Sequence, residues 1–267
     1  MKLLIKLGGT LLDAPESLQR LTREVTEVAR HASTIVVHGG GKQMTRFLAE
    51  RGIESRFVNG LRVTTPEVLD AVVKVFTGSV NATLVSAFRV AGARPVGLTG
   101  LDAGLVDAEP LNSELGRVGK PVRSDARLVD LLVREHYLPV VACVAGDAQG
   151  AVYNVNADQM AVACATSFGA DKLVFLTDVE GVRDGAGQIR ETLSAAEARR
   201  LIREGVATGG MQAKLEAALA ALQQGVGEVL IAPGAHPGVV TRLVDGSLGR
   251  SGDRSGDASG TGTRLVS

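Results

Sequence analysis

The chain has 267 residues, 45% of them hydrophobic, enough to bury a sizeable core. Its 29 basic and 29 acidic residues cancel, so charge points away from nucleic acid and from a membrane surface as partners. Aromatics are 3% with no Trp, which leaves little on which bases could stack. The opening "MKLLIKLGGTLL" is basic and then apolar, but it breaks at Gly8-Gly9 and has no cleavage site, so it reads as a first strand. Pro15 to Arg30 follows as a helix, with Leu18, Leu21, Val25 and Ala29 on one stripe. "TIVVHGGG" is the next strand and glycine turn, and Lys42 to Glu50 a helix that stops near Gly52. "TTPEVLDAVVKVF" opens a helix with Thr65 at the N-cap and Pro66 at the first helical position. "ARPVGLTG" and "YLPVVACVAG" read as strands. Between them, about Gly104 to Asp125 is polar and glycine-punctuated, the pattern of a hairpin flap outside the main sheet. "NADQMAVACATSFG" is a helix ending at Gly169, and "DKLVFLTD" an apolar strand. "LSAAEARRLIREG" carries a capping box, Ser194 with Glu197. "MQAKLEAALAALQQG" is a helix and "GEVLIAP" a strand. The Gly/Ser/Asp-rich segment 246–262 reads as a flexible loop, and "TRLV" as a short returning edge strand. No stretch reaches the roughly 18 consecutive apolar residues of a spanning helix.

This alternation predicts an α/β fold, a mostly parallel open sheet with helices on both faces. In such sheets ligands bind beyond the carboxyl ends of the strands. Those ends are Gly8-Gly9, His38 to Gly41, Gly97 to Gly100 and Thr177 to Gly181. Glycines there let backbone N–H groups approach an anion, and the following helix adds its positive end. "VVHGGGKQ" (36–43) nevertheless fails the Walker A pattern: Val36 stands where the first Gly belongs and Gln43 where a hydroxyl belongs. Lys42 is therefore expected to be a solvated residue in the first turn of a helix. Lys6 lies inside an apolar strand, where a lysine needs a partner or a task; on an edge strand it would face solvent instead. Lys214 follows the glycine turn "ATGGM" and could point back to the same anion, or lie exposed on its helix. Arg62 in "NGLRVTT" suits bidentate capture of a carboxylate. In "YNVNADQ" one of Asn154, Asn156 and Asp158 is an N-cap, and the surplus points to ligand contacts. His31, His38, His136 and His236 make no metal pair, and no G-x-S-x-G elbow occurs. Cys143 and Cys164 lack metal-ligand spacing and read as buried thiols of a reducing cytosol.

In this order, "IKLGGTLLD" (5–13), "VVHGGGKQ" (36–43), "NGLRVTTPE" (59–67), "VGLTGLDAG" (96–104), "YLPVV" (137–141), "YNVNADQ" (153–159), "LVFLTDVEGV" (173–182) and "GGMQAKLEAAL" (209–219) resemble the amino acid kinase family. They cover nearly the whole chain up to about residue 232, and "GTRLV" resembles the family's final strand. The resemblance implies a single three-layer αβα domain over 1–267. About 1–150 would bind an acyl amino acid and about 151–267 would bind ATP. It further implies ATP-dependent phosphorylation of the side-chain carboxylate of N-acetyl-L-glutamate, a step of arginine biosynthesis, with Mg²⁺ carried on the nucleotide. On that pattern Lys6 and Lys214 stabilise the transferring phosphoryl group, Asp158 orients them, and Gly8 and Gly9 offer N–H groups to it. Gly40 and Gly41 meet the acceptor, and Arg62 and Asn154 hold its α-carboxylate. Asp178, Val179 and Gly181, with Gly209, Gly210 and Met211, line the nucleotide site. A carboxylate nucleophile, with a reference pKa of about 4.3, needs no general base, so positioning and charge neutralisation carry the reaction.

The sequence begins at the first strand, without the N-terminal helix that joins arginine-inhibited members into hexamers. The expectation is an arginine-insensitive, cytoplasmic homodimer with no nucleic-acid or membrane partner. Two rival readings differ in class. One is a kinase acting on aminoadipate or glutamate carried on a small acidic protein in lysine biosynthesis, which would use Arg117, Lys120 and Arg123 of the flap. The other is a non-catalytic amino-acid sensor, against which Lys6, Lys214 and Asp158 argue.

Overall fold

The structure is a computed structural model and describes residues 1–245 and 262–267. The expected flexible loop at 246–262 lies outside the described residues except for Gly262. In chain order the first half runs β1 (Lys2–Leu7), α1 (Pro15–Ala29), β2 (Ser33–His38), α2 (Gly41–Ala49), β3 (Phe57–Val58), β4 (Leu61–Arg62) and α3 (Pro66–Val72). A π-helical stretch, Val73–Val80, leads into α4 (Asn81–Val90), β5 (Pro95–Thr99), β6 (Val106–Pro110), β7 (Val118–Ser124), α5 (Arg127–Arg134) and β8 (Leu138–Ala142). Then come β9 (Val144–Gly146), β10 (Val152–Val155), α6 (Ala157–Phe168), β11 (Lys172–Thr177), β12 (Thr192–Ser194), α7 (Ala195–Arg203), α8 (Gly209–Gln223), β13 (Glu228–Pro233), α9 (Val239–Asp245) and β14 (Thr263–Val266).

Eight strands form the main sheet in the order β12-β14-β13-β11-β1-β2-β8-β5. From β13 to β5 every pairing is parallel; only β14 runs against β13, and β12 follows β14. Helices α1, α4 and α9 pack together on one face, and α5, α6 and α8 cover the other. Strands buried on both faces have no polar side, which is why β1, β2, β8 and β11 are apolar almost throughout. Helix α6 is buried on nearly all sides, with Met160, Ala161, Cys164, Ala165 and Phe168 enclosed between the sheet and α8. Asn156 caps it by accepting from the N–H groups of Asp158 and Gln159, and Gly169 closes it in the left-handed region at φ 66°. The capping box of Ser194 and Glu197 forms at α7.

Three elements differ from their sequence reading. The helix opened by Pro66 does not end at Phe76 but winds through the π turn into α4. As one helix, Pro66–Val90 spans 25 residues and is long and apolar enough to cross a bilayer by length and composition. Counting uninterrupted apolar residues missed this, because residues such as Lys74, Thr77, Gly78, Ser79 and Asn81 break the run while its mean hydropathy stays high. Here the helix packs on α1, β5 and β8. "YLPVVACVAG" is two strands: β8 stays in the main sheet, and after Cys143 the chain leaves it as β9. The flap does contain the expected hairpin, β6 with β7, and it closes with β9 and β10 into a small four-stranded barrel. Finally, β14 is not the outermost strand, because β12 pairs beyond it.

Candidate active site

The chain goes from β1 to β2 on one side and later adds β11 on the other, so β1 is the switch point of the sheet. Crevices outside the carboxyl ends of the strands at such a point are where open α/β sheets bind ligands. A cleft of about 610 Å³ lies there. It is lined by Lys6 of β1 with Gly8 and Gly9 after it, Gly41 and Thr45 of α2, Arg62 of β4, Thr177 of β11 with Asp178 after it, and Lys214 of α8. Residues from five separated segments of the sequence thus meet in one place.

Lys6 is central in the sheet and 7% exposed, which excludes the edge-strand alternative. Its Nζ stands 2.8 Å from Asp158 Oδ1, and Lys214 Nζ stands 3.3 Å from Asp158 Oδ2. Asp158 sits in the first turn of α6 and is equally buried. Burial on its own would push its carboxyl up; Lys6 first, and then Lys214, outweigh that and hold it below the usual carboxylate range. One carboxylate therefore fixes two ammonium groups, one from β1 and one from α8. Three charges with a net charge of +1 make an anion site.

Arg62 is also buried, and its partners are neutral oxygens. It donates to Ser55 Oγ in a very short contact, to Thr45 Oγ1 at 2.8 Å and to Gly41 O at 3.1 Å, and lies 4.5 Å from the Phe57 ring centre. Burial pulls its pKa below the ordinary guanidinium value, yet a guanidinium stays charged. A buried cation held by dipoles alone is poised to receive a carboxylate. Asn154 donates to Thr64 Oγ1 at 3.0 Å, and Thr64 donates to Arg62 O at 2.9 Å, so Asn154 is tied to Arg62 through one hydroxyl.

The glycines divide. The Gly8 N–H donates to Leu176 O at 3.0 Å, extending the β1–β11 ladder, so the donor expected for a phosphoryl group is already taken. Gly9 opens a short 3₁₀ turn and faces α2, where a Cβ on it would meet Gly41 N at 3.3 Å. Gly40 is buried, and a Cβ there would strike the Phe76 ring at 2.9 Å. Gly41 is open to the cleft, as the first residue of α2.

Asp178 reaches the cleft, while Val179 and Gly181 lie beyond it in the β11–β12 connection. Gly181, at φ 152°, has no room for a side chain, because Ile189 and Thr263 crowd it at 2.9 Å. Gly209, Gly210 and Met211 form the first turn of α8, one turn before Lys214. Lys42 is exposed in the first turn of α2, as expected, but it faces the cleft mouth. Sequence reasoning missed Ser55, Thr45 and Phe57 around Arg62, and Gln43, whose amide bridges Gly9 O and Asp13 Oδ1. No local pattern marks them. The buried thiols Cys143 and Cys164 are pushed up by burial, Cys164 to about 12.

The profile of the amino acid kinase family matches residues 1–233. An acetylglutamate kinase of Solibacter usitatus is 60% identical over 248 residues, covering 92% of this chain and 96% of that protein. An acetylglutamate kinase of Endomicrobium trichonymphae is 38% identical, over 86% of this chain and 92% of that protein. Among solved structures, the N-acetylglutamate synthase of Neisseria gonorrhoeae, complexed with coenzyme A and N-acetyl-glutamate, superposes with a TM-score of 0.84 at 24% identity. The match covers all of this chain and 59% of the synthase, so the chain corresponds to part of that longer protein, and the likeness speaks for the fold.

Proposed function

Because the chain belongs to the amino acid kinase family, we propose that it is an acetylglutamate kinase, transferring the γ-phosphoryl of ATP to the side-chain carboxylate of N-acetyl-L-glutamate. The observation that carries this reading is the Lys6–Asp158–Lys214 triad at the switch point, facing the same cleft as a buried Arg62 that has no carboxylate partner among the described residues. Arg62, backed by Thr64 and Asn154, would take the α-carboxylate. The γ-carboxylate would then lie beside Gly41 and Gly9, in line with a phosphoryl group above Lys6 and Lys214. Charge spreads over the transferring oxygens in the transition state, and the two ammonium groups neutralise it without a proton transfer. Asp158 keeps both lysines in place between turnovers.

Asp178 lines the cleft, the Asp158 carboxylate is taken up by Lys6 and Lys214, and among the described residues no group of three or more His, Cys, Asp or Glu could hold a metal. This donor set suits an Mg²⁺ that enters on the nucleotide phosphates, keeping most of its own waters. When bound it would neutralise β- and γ-phosphate charge. The ATP would lie toward Asp178, Val179 and Gly181 and the first turn of α8, residues Gly209 to Met211. Homodimeric assembly and a cytoplasmic location complete the proposal.

The carrier-protein alternative needs bare basic residues on the flap. Lys120 and Arg123 instead lie 4.0 and 3.3 Å from Glu109 and Asp107 of the same hairpin. Hydroxylamine trapping of the acyl phosphate tests the function directly. With ATP, hydroxamate is expected from N-acetyl-L-glutamate and not from free glutamate, aspartate or aminoadipate. No hydroxamate from N-acetyl-L-glutamate overturns the reading.

A further inference from the structure

We infer that His38, locked by Asn81, is the positioning residue of the acceptor loop Gly39–Gly41, and that the π-helical turn Val73–Val80 is what brings its partners into place. The inference rests on the proposed role of Gly40 and Gly41 in meeting the acceptor.

His38 ends β2 and is fully buried. Its Nδ1 lies 2.8 Å from Gly39 O, and its Nε2 lies 2.9 Å from Asn81 Nδ2. The same Asn81 nitrogen lies 2.9 Å from Val140 O. These contacts admit one assignment. A carbonyl can only accept, so Nδ1 carries the proton and donates to Gly39 O. The Asn81 amide must donate to Val140 O, and its second N–H then points at Nε2, which accepts. Burial pushes the imidazole pKa down to about 4, against a smaller upward pull from the Gly39 carbonyl, so the ring stays neutral as the network requires. The remaining oxygen of Asn81 faces β5, where a Cβ at Gly97 would lie 2.1 Å from it; only glycine leaves Asn81 its place.

The loop is thereby held at successive points. Gly39 O is bonded to His38. Gly40 rests on Phe76 and Val80, where a Cβ would come within 2.9 and 3.2 Å. Its carbonyl accepts from Met44 N at 2.8 Å, starting α2. Phe76 and Asn81 are five residues apart. In an α-helix such residues stand on different faces, whereas i→i+5 winding stacks them on one side. The π turn thus presents Phe76, Val80 and Asn81 together to the back of the glycine loop. π-Bulges recur at functional sites, and here the winding has a definite task. His38 touches neither acceptor nor nucleotide; it acts through the backbone it holds.

The test separates this role from simple packing. His38→Leu keeps side-chain bulk and removes both ring nitrogens; His38→Asn returns an amide N–H near the Nδ1 position. The assay uses whichever acceptor hydroxylamine trapping identifies. His38→Leu is expected to raise the KM for that acceptor about tenfold, the equivalent of one buried hydrogen bond, with kcat changed far less. His38→Asn is expected to recover most of that loss. A packing role would lower the melting temperature of both variants and leave both KM values alone, and that result overturns the inference. Should His38→Leu fail to fold, Asn81→Leu takes its place with the same expectation. Nitrogen-15 NMR of the unmodified protein gives an independent readout: a pyrrole-type Nδ1 and a pyridine-type Nε2 are expected for His38. The opposite tautomer overturns the network. If N-acetyl-L-glutamate yields no hydroxamate, the proposed function falls, while the tautomer and the KM comparison still decide the role of His38.

Discussion

Asp158→Asn is the sharpest perturbation of the site, because it removes one charge that two lysines share and leaves the side-chain volume almost unchanged. At an effective dielectric of about 20, contacts of 2.8 and 3.3 Å correspond to gross attractions of about 6 and about 5 kcal/mol. Most of this is offset by the desolvation of three charged groups, so the gross sum is not the expected loss. The variant leaves two ammonium groups, 9% and 18% exposed at the side chain, without a counter-ion. Leaving a buried charge unpaired in this way costs about 3–5 kcal/mol. For a chain of this size that is a fall in melting temperature on the order of 10 °C. Since an added anion can replace the lost carboxylate, inorganic phosphate should restore more stability to the variant than it gives the unmodified protein. Differential scanning calorimetry with and without phosphate reads both effects, and steady-state kinetics should show a lower kcat. A variant that melts and turns over like the parent would refute the idea that Asp158 holds the two lysines.

Lys6→Ala and Lys214→Ala should each lower kcat by about 10²–10³, if each lysine acts like one oxyanion donor; a near-normal kcat in either removes that lysine from the mechanism. Arg62→Ala should chiefly raise the KM for the acyl amino acid, since its contact is the same in ground and transition states, and an unchanged KM rules out its assigned contact. Stability should fall as the solution is acidified from about pH 6.5 toward pH 4. The unfolded chain takes up a proton on His38 near 6.5, whereas the folded protein resists protonation until about 4, so the unfolded state binds more protons throughout that window. The integrated loss is about 3 kcal/mol, measurable by denaturant titration at several pH values, and His38→Asn should flatten it. Asp158, whose folded pKa is depressed, adds its own loss as the pH falls through the ordinary carboxylate value and on below it.

The parts of the fold that were legible in the sequence are those fixed by local periodicity. The strands at Lys2–Leu7 and Lys172–Thr177, the helix opened by Thr65 and Pro66, and the capping box at Ser194 all depend on neighbours within a few residues. What was not legible depends on distant pairing. β10 is only four residues, too short for its alternation to stand out, and it is a strand because β7 and β9 pair with it. The π winding has no local signature, because what sustains it is the fit of Phe76, Val80 and Asn81 to residues near position 40. Helix α5 is the exception: Arg127–Arg134 is strongly two-faced, and its pattern was available in the sequence.

The site shows the same division more sharply. Lys6 was legible because a lysine inside an apolar strand demands a partner, but the partner is 152 positions away, in α6. Nothing near Lys214 distinguishes it from an exposed helix lysine; the contact with Asp158 across 56 residues does. The Gly8 N–H could not be recognised as spent without knowing that β11 pairs beside β1. "HGGG" has the clearest composition and was the easiest to misread. Its three glycines look like one phosphate cradle, yet each has a separate reason. Gly39 faces Ala157, where a Cβ would come within 3.4 Å, Gly40 faces Phe76, and Gly41 faces open space at the cleft. Of the three, Gly41 alone has nothing within reach of an added Cβ. Gly40 is crowded by Phe76 and Val80 of the π turn, on the side to which the His38 ring reaches Asn81, whereas a Cβ at Gly39 would make only an ordinary contact with α6.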